Sequence, residues 1–447
     1  MNDLRVDQFA NEIWALVPDV VWTGSERLTN VSIVIRGEKI IKLASGASLG
    51  EIPRVFLSGC TIIPGLIDAH VHLSEWMLPG FLAAGVTTVR DVGNDLEWIL
   101  SQRKFNSEDP LRGPTIFCCG PVLDGVTVNW SGISISHVDE FEVATSVRKL
   151  VSAGVDAIKL YVNLTDSQIS AAIKAAGETG AFVLAHLGEV NSQRAAALGV
   201  NEIEHLSGCI HHEHGGSTPY TDSTYLERCV DIFLDHGTVM CPTLIVWDRL
   251  SHINEVAFAN DRRLEWVHPL LLEAWNNFPH RFIDPGLRLD RQQSLVTMKK
   301  SLYRIWARGV QIIAGTDTPW PFVIPGFSIH DELALAVDSG ITPVEALKMA
   351  TINPAKVLGQ SGKIGEIAVG ATADLLAVRG DPTIDIHDLS NVCSVVHRGM
   401  IVDRGANVRT REKLFRNVPT DPVTELITSV SDNRVVPISP EVKFDCE

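Results

Sequence analysis

Two histidines with one valine between them, His70 and His72, close the apolar run "GLIDAHVH" at residues 65–72. In a strand, residues two apart point to the same face, about 7 Å apart along the backbone. Two imidazoles on one face at the end of a buried strand can grip one metal ion. They can equally be polar residues satisfied by neighbouring hydrogen bonds. His-x-His does not separate these readings; what matters is whether other apolar runs end in further ligands in a consistent order. They do: Lys159 lies in "DAIKLYV" (156–162), His186 in "FVLAHL" (182–187), His205 in "NEIEHL" (201–206) and Asp317 in "QIIAGTD" (311–317). Four of the chain's 15 histidines, a lysine and an aspartate therefore fall at corresponding positions, a set that scattered core polars would not produce.

The elements that must position them follow from the spacing of apolar residues. The five runs above, with "VTTVRDV" (86–92), "PTIFCCGPV" (114–122) and "TVMCPTLIV" (238–246), make eight short β-rich stretches. Helical patterns lie between them, such as "LTDSQISAAIKAAGETG" and "NSQRAAALG", each with an Asp/Ser or Asn/Ser start and a glycine stop. Eight strands alternating with helices predict an α/β fold, a (β/α)8 TIM barrel over residues 63–360, whose strand C-terminal ends carry the chemistry. The flanks, 1–62 and 361–447, hold short alternating strands at 20–60 and 363–403. They are expected to pair into a small β-sandwich built from both chain termini. The stretch beyond about residue 410 has no assigned place.

At 447 residues with 45% hydrophobic residues and mean hydropathy +0.13, the chain can bury a large core. A net charge of −16 and a pI near 5.4 argue against nucleic acid or an anionic membrane as partner. The expected partner is a small-molecule substrate, with a homo-oligomer left open. The N-terminus lacks a basic segment followed by an apolar one, and no uncharged run is long enough to span a bilayer. Eight cysteines without C-x-x-C fit free thiols in a reducing compartment, so a cytoplasmic location is expected.

The stretches "IIPGLIDAHVHLS", "AIKLY", "VLAHLGE", "EIEHLSG", "PTLIV", "IAGTDT", "MATINPAKVLG" and "GEIAVGATADLLAV" resemble the metal-dependent amidohydrolase superfamily across residues 18 to 405. Within it they are most similar to the imidazolonepropionase-like and Xaa-Pro or Xaa-Arg dipeptidase branch, which includes ochratoxin-type amidases. The resemblance implies two divalent metal ions, with Zn2+ the first candidate. His70, His72 and Asp317 would hold one, His186 and His205 the other, and Lys159, carboxylated by carbon dioxide, would bridge them. A bare ammonium beside two cations would be repelled, whereas a carbamate supplies two anionic oxygens. A bridging water would be acidified by the metals. Asp317 would accept its proton and deliver it to the leaving nitrogen. The implied activity is hydrolysis of an amide (C–N) bond in a small N-acyl amino acid, dipeptide-like or urea/carbamate-type compound. The alternatives are a lactonase or ester hydrolase with the same metal pair and a mononuclear deaminase.

Glu189 carries the deaminase alternative, because "HLGE" (186–189) is similar to the His-x-x-Glu of deaminases in the same superfamily; the other reading is an acid near a helix N-terminus. The branch's glycine- and histidine-rich element after strand three is replaced by "DGVTVNWSGISISHVDE", where His137 is the candidate stand-in. "HHEHGG" (211–216) reads as a polar loop or an extra metal site. Trp76, Trp130, Trp247 and Trp320 all follow strand ends, which suggests an aromatic substrate. Tyr161 and Arg249 follow strands at the same rim, where an arginine could receive a substrate carboxylate.

Overall fold

The computed structural model describes residues 12–45, 49–128, 130–209, 211–212, 219–220, 223–252, 258, 260–277 and 285–431. The apolar runs form parallel strands in chain order. Strand one is Leu66–Val71, two Val86–Asp91, and three is split into Thr115–Cys118 and Val122–Asp124. Four is Ala157–Leu160, five Phe182–Ala185, six Glu202–Glu204 and seven Val239–Cys241. Strands one, two and three pair in parallel, as do four, five, six and seven. The third strand meets the fourth where Asp156 N–H donates to Cys118 O and Tyr161 N–H to Leu123 O. Residues 311–318 close the ring: Ile312 bridges Met240, Thr318 bridges Val71, and Ala69 N–H donates to Ala314 O. Every residue of strands one and two is buried, as a parallel sheet covered by helices requires.

Sequence-legible caps punctuate the return helices. Asp139 accepts from Glu142 N–H to start Glu140–Ala153, which Gly154 ends in a left-handed turn at φ +90°. Thr165 and Gln168 form a reciprocal capping box on Asp166–Gly177. Asn191 caps Ser192–Leu198. Each helix thus returns the chain to the same end of the strand ring, so the paired parallel strands end on one side.

The terminal segments form one eight-stranded sheet. Ile13–Trp22 pairs with Val31–Arg36 and, in parallel, with Arg54–Pro64. The C-terminal Leu375–Arg379 adds antiparallel to Arg54–Pro64, and Val392–His397 adds beyond it. At the far edge, Lys39–Ser45 hydrogen-bonds back to the run entering Leu375: Ile40 N–H donates to Ala371 O and Ala373 N–H to Glu38 O. The sheet therefore wraps around its own core of Trp14, Leu16, Ile33, Ile35, Ile62 and Leu375. Gly65 passes the chain from this sheet into strand one; a Cβ there would lie 2.3 Å from Thr87 Oγ1, so only glycine fits.

Beyond residue 403 the described residues form two helices, Arg404–Phe415 and Pro422–Ser431, which fold back over the loop after strand one. No described helix is long and apolar enough to cross a membrane.

Candidate metal centre

His70, His72, Lys159, His186, His205 and Asp317 gather where the parallel strands end. His72 Nδ1 lies 2.9 Å from Gly93 O, and a carbonyl only accepts, so Nδ1 carries a hydrogen and Nε2 is the ring atom turned to the mouth. His70 Nδ1 is likewise 2.8 Å from Glu204 Oε2. The two Nε2 atoms converge on Asp317 Oδ1, at 3.3 Å from His70 and 3.4 Å from His72, and Glu204 and Asp317 together raise His70 against its burial. His205 Nδ1 is held by Thr243 Oγ1 at 2.6 Å. The His70 and His205 rings are 4.8 Å apart, and those of His186 and His205 4.3 Å. His70, His205 and Asp317 each present a ligand atom within 4.8 Å of the others.

Backbone geometry makes this convergence possible. His205 and Asp317 both adopt left-handed φ, +62° and +60°, which turns their side chains into the mouth as each strand ends. Such residues are uncommon and concentrate at functional sites. At Gly315 a Cβ would lie 2.4 Å from His70 Cβ, so strand one and the closing segment 311–318 approach this closely only across glycine.

The electrostatics suit a cation. Burial drives His186 down to about 3 and His205 well below its ordinary range, so both are neutral with lone pairs free to ligate. Burial would raise the Asp317 carboxyl, but His70 and His72 hold it well below the ordinary carboxylate range, leaving an anion. Lys159 Nζ is buried, 3.3 Å from Glu204 Oε1, and makes no hydrogen bond; Glu204 Oε1 makes none either. The neutral imidazoles of His186 and His205 and the Asp317 carboxylate fit a divalent cation better than they fit a sealed core.

Buried acids that sequence reasoning did not single out hold these ligands. Asp68 accepts Thr316 N–H at 3.0 Å and Thr316 Oγ1–H at 2.7 Å, tying strand one to the closing segment 311–318. Asp91 accepts Leu73 N–H at 2.7 Å and Asn94 Nδ2–H at 2.9 Å, fixing the turn whose Gly93 carbonyl orients His72. Glu332, its carboxyl pushed up to about 8 by burial, accepts Leu244 N–H at 3.0 Å and Ile245 N–H at 2.7 Å. That grip holds Thr243 at φ +46°, the conformation from which its hydroxyl reaches His205. The available signal was an acid inside an otherwise apolar strand, in "LIDAH", "VRDV" and "EIEH". Glu332→Ala is expected to cost about 1–3 kcal/mol of stability and to weaken zinc affinity about 10-fold or more. A thermal melt and a zinc titration check this; unchanged zinc affinity would count against the Thr243 link.

The aromatic rim divides. Trp130 Nε1–H donates to Tyr161 OH at 2.5 Å, Tyr161 lies edge-on to His186 at 5.0 Å, and Trp130 meets Trp320 at 6.0 Å. Trp247 is half-buried against the main barrel core. Trp76 corrects the expectation: it is buried under the C-terminal helices, donating from Nε1 to Thr424 Oγ1 and packing against His268 and Phe415. Arg249 is corrected too. Its guanidinium is buried and occupied by Asp331, Asp248 and Phe322 O, and it lies over the Phe258 ring. It is not available to a substrate carboxylate. His137 is fully paired, Nδ1 with Asp124 O and Nε2 with Ser146 Oγ. The Glu189 side chain is exposed. His211 and His212 pair with Pro219–Tyr220, and residues 213–216 of that cluster lie outside the described residues.

The amidohydrolase family profile matches residues 61–405. Among curated proteins, a 5-methylthioadenosine/S-adenosylhomocysteine deaminase of Syntrophobacter fumaroxidans is 25% identical over 366 residues, 72% of this chain and 73% of that one. Among solved structures, a Xaa-Pro dipeptidase with bound methionine superposes with a TM-score of 0.69 at 23% identity, over 87% of this chain and 99% of its own. The ochratoxinase of A. niger gives 0.67 at 19% identity, over 88% and 95%. Likeness at these identities is a likeness of fold.

Proposed function

The chain belongs to the amidohydrolase family, enzymes acting on carbon–nitrogen bonds, and on that premise we propose a binuclear hydrolase that cleaves an amide in a small aromatic N-acyl amino acid, dipeptide-like or urea/carbamate-type compound. We read the closed strand ring as a (β/α)8 barrel and the wrapped terminal sheet as its β-sandwich. The observation that carries the reading is Lys159: a buried amine on strand four, 3.3 Å from Glu204 Oε1 but without a hydrogen bond, among the imidazoles of the centre. An ammonium has three donors to satisfy and is poorly served there, whereas a carboxylated lysine would bridge two ions.

When bound, a Zn2+ pair would acidify a water and polarise the scissile carbonyl. His70 and His72 would hold one ion with Asp317, and His186 and His205 the other. Asp317, kept anionic beside His70 and His72, would take the water's proton and pass it to the leaving nitrogen. Tyr161 accepts from Trp130 Nε1–H, so its own hydroxyl hydrogen is free for a substrate oxygen; burial keeps that hydroxyl protonated. Trp130 and Trp320, set edge to face, offer the apolar wall for an aromatic group.

A second reading, a mononuclear deaminase, is favoured by the relative from Syntrophobacter fumaroxidans. It asks for an acid beside the ion, and the exposed Glu189 side chain weighs against it. The deciding experiment screens the zinc-loaded protein against N-acyl amino acids, dipeptides, aryl ureas and lactones, following free amine and ammonia in parallel. Amine release from aryl amides is the expected result. Ammonia release alone overturns the proposal in favour of deamination, and activity confined to lactones overturns it in favour of ester hydrolysis.

Within the panel, Trp320→Ala removes apolar contact worth about 2 kcal/mol, so kcat/KM for aryl amides should fall about 30-fold. Small aliphatic amides should lose much less. Equal losses in both classes would make Trp320 a packing residue for its neighbours Ile245, Val246 and Val323.

A further inference from the structure

Strand six is the three-residue run Glu202–Glu204, fully buried, and carries two acids where a barrel interior ordinarily carries aliphatic residues. Glu202 has a complete partner: Arg90 Nη1–H donates to its Oε2 at 2.9 Å, and Nη2 bonds its Oε1. Glu204 does not. Its Oε2 faces His70 Nδ1 at 2.8 Å, while its Oε1 has Lys159 Nζ at 3.3 Å, Arg90 Nη2 at 3.8 Å, and no hydrogen bond. A buried nitrogen and a buried acceptor therefore face each other as an ion pair at 3.3 Å, with neither making a hydrogen bond. Buried polar atoms left in this state are uncommon and call for a physical cause.

We propose that Glu204 is the positioning residue of the metal centre, accepting His70 Nδ1–H with one oxygen and, with the other, the single N–H that Lys159 keeps after carboxylation. The assignment rests on the carboxylated lysine of the proposed function. In that step the neutral amine attacks the carbon of carbon dioxide. A nitrogen–carbon bond forms, one carbonyl electron pair moves onto oxygen, and the nitrogen releases one proton to solvent. What remains is a carboxylate with one N–H, and that hydrogen matches the open acceptor at Glu204 Oε1. The same contact fixes which way the new carboxylate points, because the N–H lies opposite it across the nitrogen. The His70 contact fixes the tautomer that leaves Nε2 as the ligand. One buried carboxylate would thus set a ligand of one ion and the bridge between both.

The donor arithmetic makes Glu204→Gln a sharp test. A glutamine offers one oxygen and one NH2, so it can accept from the carbamate or from His70, but not both. Zinc-loaded protein prepared in 13C-bicarbonate is examined by 13C NMR for a carbamate resonance and by elemental analysis for zinc per chain. The parent is expected to show a stoichiometric carbamate, and Glu204→Gln a loss of about fivefold or more in both carbamate and paired zinc. Glu202→Gln is the structural control: it should lower the melting temperature by breaking the Arg90 pair yet keep the carbamate. A Glu204→Gln protein with the parent's carbamate overturns the assignment, and if it loses only one zinc while keeping that carbamate, Glu204 is a metal ligand instead. A parent without the resonance overturns the carboxylated lysine itself. Should Glu204→Gln fail to fold, the parent labelled with 15N-lysine decides. The carbamate N–H is expected to be shifted downfield and protected from solvent exchange, and rapid exchange overturns its bond to Glu204.

Discussion

Asp317→Asn is expected to retain most of its bound metal and to lose turnover by about 10³-fold or more. The substitution keeps an oxygen that can ligate, and keeps the left-handed backbone that asparagine tolerates well. It removes the anion that His70 and His72 hold ready at 3.3 and 3.4 Å to take a proton. Steady-state rates on the best substrate, with zinc content measured on the same preparation, check the expectation. Turnover near that of the parent would remove Asp317 from proton transfer and leave it a ligand only.

Lys159→Ala is the second large effect. The variant should lose the metal pair and fall to background activity, because nothing else on strand four reaches between the histidines. A short carboxylate such as acetate or propionate, supplied at high concentration, should occupy the vacated volume and restore part of the rate. The effect is distinguishable from misfolding, since a misfolded barrel is not rescued by acetate. Retention of two zinc ions by Lys159→Ala would contradict the bridging role.

The gathering of His70, His72, Lys159, His186, His205 and Asp317 is legible because strand order in this architecture is chain order, so polar residues at successive strand ends must meet. The helix caps at Asp139, Thr165 and Asn191 are equally local, a side chain bonding an amide three residues on. The acids that orient the ligands are a different matter. Asp68 meets Thr316 across 248 residues of sequence, Glu204 meets His70 across 134, and Leu244 meets Glu332 across 88. A single sequence shows each such acid only as an oddity in an apolar run, not its partner. Trp76 was misplaced for a related reason. It follows a strand end as a rim residue should, but the helices at 404–431 return over it, and their mixed composition gave no sign of where they would dock. Arg249 has Asp248 beside it and Asp331 in reach, so the fold supplies its carboxylates before any substrate arrives.

The most direct test of the central claim is the zinc titration of chelated protein, read as ions bound per chain with bicarbonate present and in buffer free of carbon dioxide. Two divalent ions held by these side chains and joined through a carboxylated Lys159 predict saturation at two per chain, reached faster with bicarbonate. Saturation at one ion per chain, with no effect of bicarbonate, would contradict the binuclear account and leave the mononuclear deaminase in its place.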